Sequence, residues 1–111
     1  MSVSSEYTDY VLEQLNAVRP VRAKRMFGGL GLYAGDWFFA LVKNNTLYFK
    51  VDDSNRSDYE QAGMGPFMPF GPESWSMNYY EVSAGVLEEV DELRIWMDKA
   101  VSVAKRGKGR K

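Results

Sequence analysis

Residues 25–51, RMFGGLGLYAGDWFFALVKNNTLYFKV, decide the fold of this chain. They contain three runs rich in aromatic and aliphatic residues, at Met26–Tyr33, Trp37–Val42 and Thr46–Val51. The runs are separated by Ala34-Gly35-Asp36 and by Asn44-Asn45, and Gly and Asn accept the left-handed backbone of tight turns. Apolar runs joined by such turns predict three consecutive antiparallel strands.

Helical patterns flank these strands. Apolar residues spaced by three and four predict a helix that ends before Pro20 and a second helix near the end of the chain. The first stripe is Tyr7, Val11, Leu15 and Val18, and the second is Leu93, Trp96, Met97, Ala100, Val101 and Ala104. Between them the sequence predicts a short helix from Ser54 or Asn55 to Gln61, with Gly63 as its C-cap, and a strand over Trp75–Val82.

This order, α-β-β-β-α-β-β-α, predicts an α+β fold. We expect an antiparallel sheet of about five strands, a β-meander plus two further strands, covered by the N- and C-terminal helices. At 111 residues the chain is long enough for one domain with its own core. We place this domain at residues 1–104 and a flexible basic tail at residues 105–111.

The composition limits the kinds of catalytic and metal-binding site that the chain can form. The chain has neither cysteine nor histidine, which removes thiolate and Ser-His-Asp catalysis and the usual zinc ligands. Asp52 and Asp53 are adjacent, so in a strand they would point to opposite faces rather than to one metal ion. We therefore predict no catalytic, cofactor-binding or metal-binding residues. Because no signal peptide or apolar run of about 20 residues is present, we expect a cytoplasmic protein that does not enter a membrane.

The charge is distributed unevenly. Residues 105–111 hold five of the 14 basic residues, so residues 1–104 carry nine basic and fifteen acidic side chains. Arg19, Arg22, Lys24 and Arg25 form a second basic group, which is either a patch for phosphate or an acidic partner, or a solvated connector. The candidate nucleic-acid contacts are Arg22, Lys24, Lys105, Arg106, Lys108, Arg110 and Lys111.

Gly28, Gly29 and Gly31 do not predict a phosphate-binding loop, because a strand rather than a helix follows them. Glycine within a strand usually marks a close approach of another group. We expect a helix or an aromatic ring to pack over Gly28 and Gly29, so that Gly29→Val lowers the stability by about 1–3 kcal/mol.

Residues 64–80, MGPFMPFGPESWSMNYY, have an unusual composition of three prolines, three methionines, five aromatic residues and one charge. These rings either complete the core or remain exposed as a partner-binding surface, where Met and aromatic residues are common. The candidate surface residues are Met64, Phe67, Met68, Phe70 and Trp75.

Several ordered blocks resemble the TfoX/Sxy N-terminal domain family. The first is Arg25, Met26, Phe27, Gly28, Gly29, Gly31 and Tyr33, which we take as a structural motif. The later blocks are Leu47–Asp52, Tyr59 with Gly63, Pro66-Phe67, Met77–Tyr80, and Leu93 and Trp96 with Ala100 and Ala104. The resemblance spans roughly Tyr7 to Ala104, and it identifies a stand-alone, single-domain member.

The resemblance implies a regulatory function. The family includes regulators of natural competence in bacteria that act with the cyclic-AMP receptor protein at promoters, and full-length members carry a second, helical domain. We therefore expect a non-enzymatic protein-interaction domain, a transcription co-regulator whose partner is the transcription machinery or a regulator similar to the cyclic-AMP receptor protein. The alternatives are direct nucleic-acid binding through the basic tail, and a small-molecule-binding domain or carboxylate-based enzyme. A homodimer is compatible with each of them.

Overall fold

The computed structural model describes residues 5–26, 29–67 and 76–107. Its elements are α1 (Ser5–Asn16), β1 (Arg22–Met26), β2 (Gly29–Ala34), β3 (Trp37–Lys43), β4 (Thr46–Lys50), α2 (Arg56–Gln61), β5 (Pro66–Phe67), β6 (Ser76–Glu81), α3 (Ala84–Glu88) and α4 (Val90–Arg106). The strands form one antiparallel sheet in the order β1-β2-β3-β4-β6-β5, with helices at both ends of the described chain. The predicted α+β fold is confirmed.

β1 is a strand that the sequence pattern did not predict. Its pairing with β2 runs from Arg22 opposite Tyr33 to Met26 opposite Gly29. The predicted first strand, Met26–Tyr33, is therefore divided between two paired strands, and the interpretation of Arg22–Arg25 as a connector is wrong. A basic strand is tolerated at this position because β1 lies at the edge of the sheet, where side chains reach solvent on both faces.

The two predicted turns are confirmed. Asn44 and Asn45 have φ angles of 54° and 57°, and they join β3 to β4 as a two-residue hairpin turn. Gly35, with φ of 62°, lies in the turn between β2 and β3. The pairing of these strands shifts by one residue, because Leu32 is opposite Ala40 whereas Tyr33 is opposite Phe38. This bulge places Phe39 and Ala40 together in the core.

The helices pack on one face of the sheet. Val11 and Leu15 of α1, and Leu93, Met97 and Ala100 of α4, are fully buried, as the helical stripes predict. Helix α4 contacts β3 and β4, the central strands. Ser83 is the N-cap of helix α3, and its hydroxyl accepts a hydrogen bond from the Val86 N–H at 3.3 Å. These elements form one continuous core between the helices and the sheet.

The connection from β4 to α2 is held by a buried amide. Asn55 is 1% exposed, its Oδ1 accepts the Asp52 N–H at 2.9 Å, and its Nδ2 donates to the Lys50 carbonyl at 3.4 Å. Helix α2 ends at Gln61, as predicted, but its C-cap is Ala62 rather than Gly63; Gly63 follows one residue later with a φ of 77°. Arg106 of α4 donates to the Ser54 hydroxyl at 2.6 Å, which ties the last helix to the same connection.

Gly29 lies against the backbone of the neighbouring strand. A Cβ atom at this position would come within 3.0 Å of the Val42 carbonyl oxygen and 3.4 Å of the Lys43 Cα. The close approach at Gly29 is therefore to β3, and the expectation that a helix or ring packs over this residue is wrong. Two adjacent strands leave no space there for even a methyl group.

Candidate functional site

The second face of the sheet carries no described helix, and we call it the open face. Its side chains follow from the strand register, since residues that pair directly or alternate along a strand share a face. They are Arg22, Lys24, Tyr33, Phe38, Leu41, Lys43, Tyr48, Lys50, Tyr79 and Glu81. The tyrosines, Phe38 and Leu41 are each partly exposed, whereas their neighbours Leu32, Ala40, Leu47 and Phe49 on the helix-covered face are fully buried.

Aromatic rings form a continuous row across the open face. Tyr33 and Phe38 are stacked with centroids 5.2 Å apart, and Phe38 lies 6.1 Å from Tyr79. Each end of the row carries a cation, because the Arg22 guanidinium lies 5.1 Å from the Tyr33 centroid and the Lys50 ammonium lies 5.2 Å from the Tyr79 centroid. Cation–π attraction and ring stacking hold these side chains in place without the cover of a helix.

Burial shifts the pKa values of several side chains on the open face. Burial raises the pKa of Tyr79 to about 12, with a smaller contribution from Tyr33. The pKa of Lys50 is lowered by burial, and its ammonium lies 3.5 Å from the Tyr79 hydroxyl. Burial likewise raises the pKa of Tyr48. These tyrosines therefore stay neutral at physiological pH, and the described charges of the open face come from its lysine and arginine side chains and from Glu81.

The family model for the TfoX N-terminal domain matches residues 13–104. The chain belongs to this family. It is thus a competence-regulator-like domain, and the match covers most of the 111 residues. No curated protein matches the sequence.

The structural motif of this TfoX N-terminal domain lies on the β1–β2 hairpin. Arg25 and Met26 end β1, Gly29 and Gly31 belong to β2, and Tyr33 contributes its ring to the aromatic row. Phe27 and Gly28 lie outside the described residues. The motif therefore combines a close approach of two strands at Gly29 with one ring of the open face.

The structure separates the candidate nucleic-acid contacts into two groups. Arg22 and Lys24 lie on the open face, and Lys24 is exposed opposite Gly31. Lys105 and Arg106 belong to α4 rather than to a tail, and the Arg106 guanidinium donates hydrogen bonds to the Asp52 carboxylate and the Ser54 hydroxyl. Lys108, Arg110 and Lys111 lie outside the described residues.

The candidate partner surface in residues 64–80 is described only at its ends. Met64 is 9% exposed and belongs to the core cluster of this TfoX N-terminal domain. Phe67 forms β5 with Pro66, and its backbone pairs with Ser76. Met68, Phe70 and Trp75 lie outside the described residues.

On the helical side, a shallow groove of about 590 Å³ runs between α4 and the turns that precede β1 and β3. It is lined by Trp37 and Arg94, and by an ion pair in which Arg19 and Asp98 lie 2.8 Å apart. The described residues contain no group of three or more acidic side chains placed to hold a metal ion. Within those residues no helix is long and apolar enough to span a membrane.

Sequence reasoning missed most of the open face. Residues Phe38, Leu41, Tyr48, Lys50 and Tyr79 were not predicted as site residues. One signal was readable, because β4 alternates between the buried Leu47 and Phe49 and the partly exposed Thr46, Tyr48 and Lys50. An aromatic residue on the solvent side of such a strand is the feature that could have identified this face.

Proposed function

We propose that this TfoX N-terminal domain is a non-enzymatic regulatory interaction domain that acts in transcription by binding a macromolecular partner through the open face. The observation that carries the proposal is the row of partly exposed aromatic side chains on the side of the sheet away from the helices. An antiparallel sheet covered on one side normally presents polar residues on the other. Aromatic residues there resemble the composition of binding surfaces.

The contacts within the row are suited to a binding surface. The Lys50 ammonium lies 3.5 Å from the Tyr79 hydroxyl. Burial is the largest cause of the raised pKa of Tyr79 and of the lowered pKa of Lys50. Both side chains also belong to the stack that crosses the sheet. A preformed row of rings and cations provides a rigid surface whose side chains lose little freedom when a partner binds.

The partner is a component of the transcription machinery, either a protein or the nucleic acid that it acts on. The family resemblance favours a regulator similar to the cyclic-AMP receptor protein or a polymerase subunit. The groove beside α4 is the weaker candidate surface. Two of its charged lining residues, Arg19 and Asp98, already form an ion pair with each other, which a charged ligand would have to break.

A crosslinked pull-down from the native host tests the proposal. The bait is the full chain, the variant carrying Arg22→Gln and Lys24→Gln on the open face, or a control carrying Arg94→Gln on α4. Arg94 is an exposed cation on the helical side, so the control keeps the fold while it changes charge elsewhere. We expect the wild type and the control to recover a transcription regulator, a polymerase subunit or nucleic acid, and the open-face variant to lose it. Equal recovery by all three baits would refute the proposal.

A further inference from the structure

We propose that the open face binds single-stranded nucleic acid, with the bases against the aromatic row and the phosphates on the surrounding cations. The inference rests on the proposed function, since it uses the same face, and it names the class of partner. DNA and RNA present the same chemistry here, and the experiment below distinguishes them.

The charge distribution favours a polyanion at this face. Four cations, Arg22, Lys24, Lys43 and Lys50, share it with one described acid, Glu81. The other residues up to position 104 carry five basic and fourteen acidic side chains. Within residues 1–104, this distribution makes the open face the part of the chain that most favours the approach of a polyanion.

The aromatic row favours bases as the second contact. Its rings are partly exposed and held side by side, and the guanidinium of Arg22 already lies over one of them. Unpaired bases stack on aromatic rings and on guanidinium planes, and sequence-independent single-strand sites combine such rings with a positive groove. Tyrosine is neutral at physiological pH and does not oppose the approach of phosphate, and burial raises the pKa of Tyr79 further, to about 12.

The geometry favours a single strand over a duplex. A duplex hides its base faces within the stack, so the aromatic row could reach only its backbone. The centroids of Tyr33, Phe38 and Tyr79 are 5.2 and 6.1 Å apart in succession, and the Arg22 guanidinium lies 5.1 Å from the Tyr33 centroid, so the row with its Arg22 end is at most about 16 Å long. This length suits a short stretch of extended strand, near the lower end of the roughly 4–16 nucleotides that a single-strand site covers.

Fluorescence anisotropy with labelled oligonucleotides tests the inference. The probes are oligo-dT, oligo-rU, a mixed-sequence duplex and an abasic strand of equal length. We expect both single strands to bind at least tenfold more tightly than the duplex or the abasic strand, and the ratio of oligo-dT to oligo-rU affinity shows which nucleic acid is preferred.

Charge variants of the full chain separate the open face from a cation on the helical side. Each phosphate contact to a single strand contributes about 0.7 to the slope of log K against log salt. Arg22→Gln with Lys24→Gln should therefore reduce that slope by about 1.4, whereas the same change at Arg94 should leave it unaltered. Equal effects at Arg94 and at the open face would show that binding is general electrostatic attraction, and the inference would be wrong.

A pair of variants at Tyr33 tests the stacking. Tyr33→Phe keeps the ring and should keep the affinity, whereas Tyr33→Leu should weaken binding by roughly 5- to 150-fold. If Tyr33→Leu fails to fold, the pair Tyr79→Phe and Tyr79→Leu provides the same comparison at the other end of the row, on β6. Identical affinities of the Phe and Leu variants would overturn the inference.

The outcomes distinguish this inference from the proposed function. If a regulator or polymerase subunit depends on the open face in a nuclease-treated pull-down while no oligonucleotide binds, the partner is a protein and the inference fails alone. If neither depends on the open face, the proposed function fails with it.

Discussion

Replacing Gly29 by alanine tests whether β2 and β3 approach each other as closely as the structure shows. The added methyl group would lie within 3.0 Å of the Val42 carbonyl oxygen and 3.3 Å from its carbon atom. These are backbone atoms of β3, which cannot rotate away as a flexible side chain can. Either the methyl group is compressed or β2 and β3 move apart and weaken their hydrogen bonds.

The expected cost of Gly29→Ala follows from this contact. Overpacking a well-packed site costs about 1–3 kcal/mol, and a clash with backbone belongs at the upper end of that range. We expect about 3 kcal/mol, which for a domain of this size lowers Tm by about 12 °C. The valine variant should be at least as destabilised, because it adds a branched side chain to the same clash.

Two other glycines provide matched controls. Gly65 has nothing within 4 Å of an added Cβ, so Gly65→Ala should change Tm by no more than about 2 °C. Gly63 has equally open space but a φ of 77°, so Gly63→Ala should cost about 1–2 kcal/mol through backbone strain alone. Thermal unfolding of the three variants, followed by circular dichroism, measures the series. A Tm for Gly29→Ala within 2 °C of that for Gly65→Ala would falsify the close approach.

Three further predictions concern buried polar groups. Tyr79 stays protonated in the folded protein up to a pKa of about 12 while an unfolded tyrosine ionises near 10, so stability should fall as pH rises from 10 to 12, by at most about 2–3 kcal/mol. Denaturant melts across that range should show a shallower fall for Tyr79→Phe. Asn55→Ala should cost about 1–3 kcal/mol in urea unfolding, because it leaves the Asp52 N–H without its acceptor, whereas Ser57→Ala on the exposed side of α2 should be near neutral. Tyr59→Phe should leave the free energy of unfolding in urea unchanged or raise it, since the Tyr59 hydroxyl is buried without a partner among the described residues. A decrease in that free energy of more than about 1 kcal/mol would contradict this.

Elements that are specified by a short stretch of residues could be predicted from the sequence. The Asn44-Asn45 pair specifies a hairpin because both residues must accept a positive φ, and the structure places them there. The apolar stripes of the first and last helices are equally local, since a period of 3.6 residues needs no knowledge of the partner surface. The end of α2 at Gln61, just before Ala62 and Gly63, is local for the same kind of reason.

Features that depend on which strands pair, and in which register, could not be predicted from the sequence. The residues of β1, RAKRM, carry no alternating apolar pattern, and the strand forms because β2 supplies its hydrogen bonds. β3 has six apolar residues in succession, Trp37–Val42, so the bulge at Phe39 and the outward direction of Phe38 leave no trace in the sequence. The register with Phe49 decides that Tyr80 rather than Tyr79 enters the core. The open face depends on these pairings, and the alternation along β4 is the part of it that the sequence pattern indicates.

β1 also bears on how copies of the domain behave at high concentration. The outer edge of a sheet is a template on which a second copy can add a strand, and this is a common start of aggregation. Here that edge carries Arg22, Lys24 and Arg25, exposed on both faces of the strand. Two copies that approached edge to edge would bring like charges together along the whole new pairing. The basic strand thus protects the domain against fibre-like growth at this end of the sheet, and any contact between copies must form on a different surface.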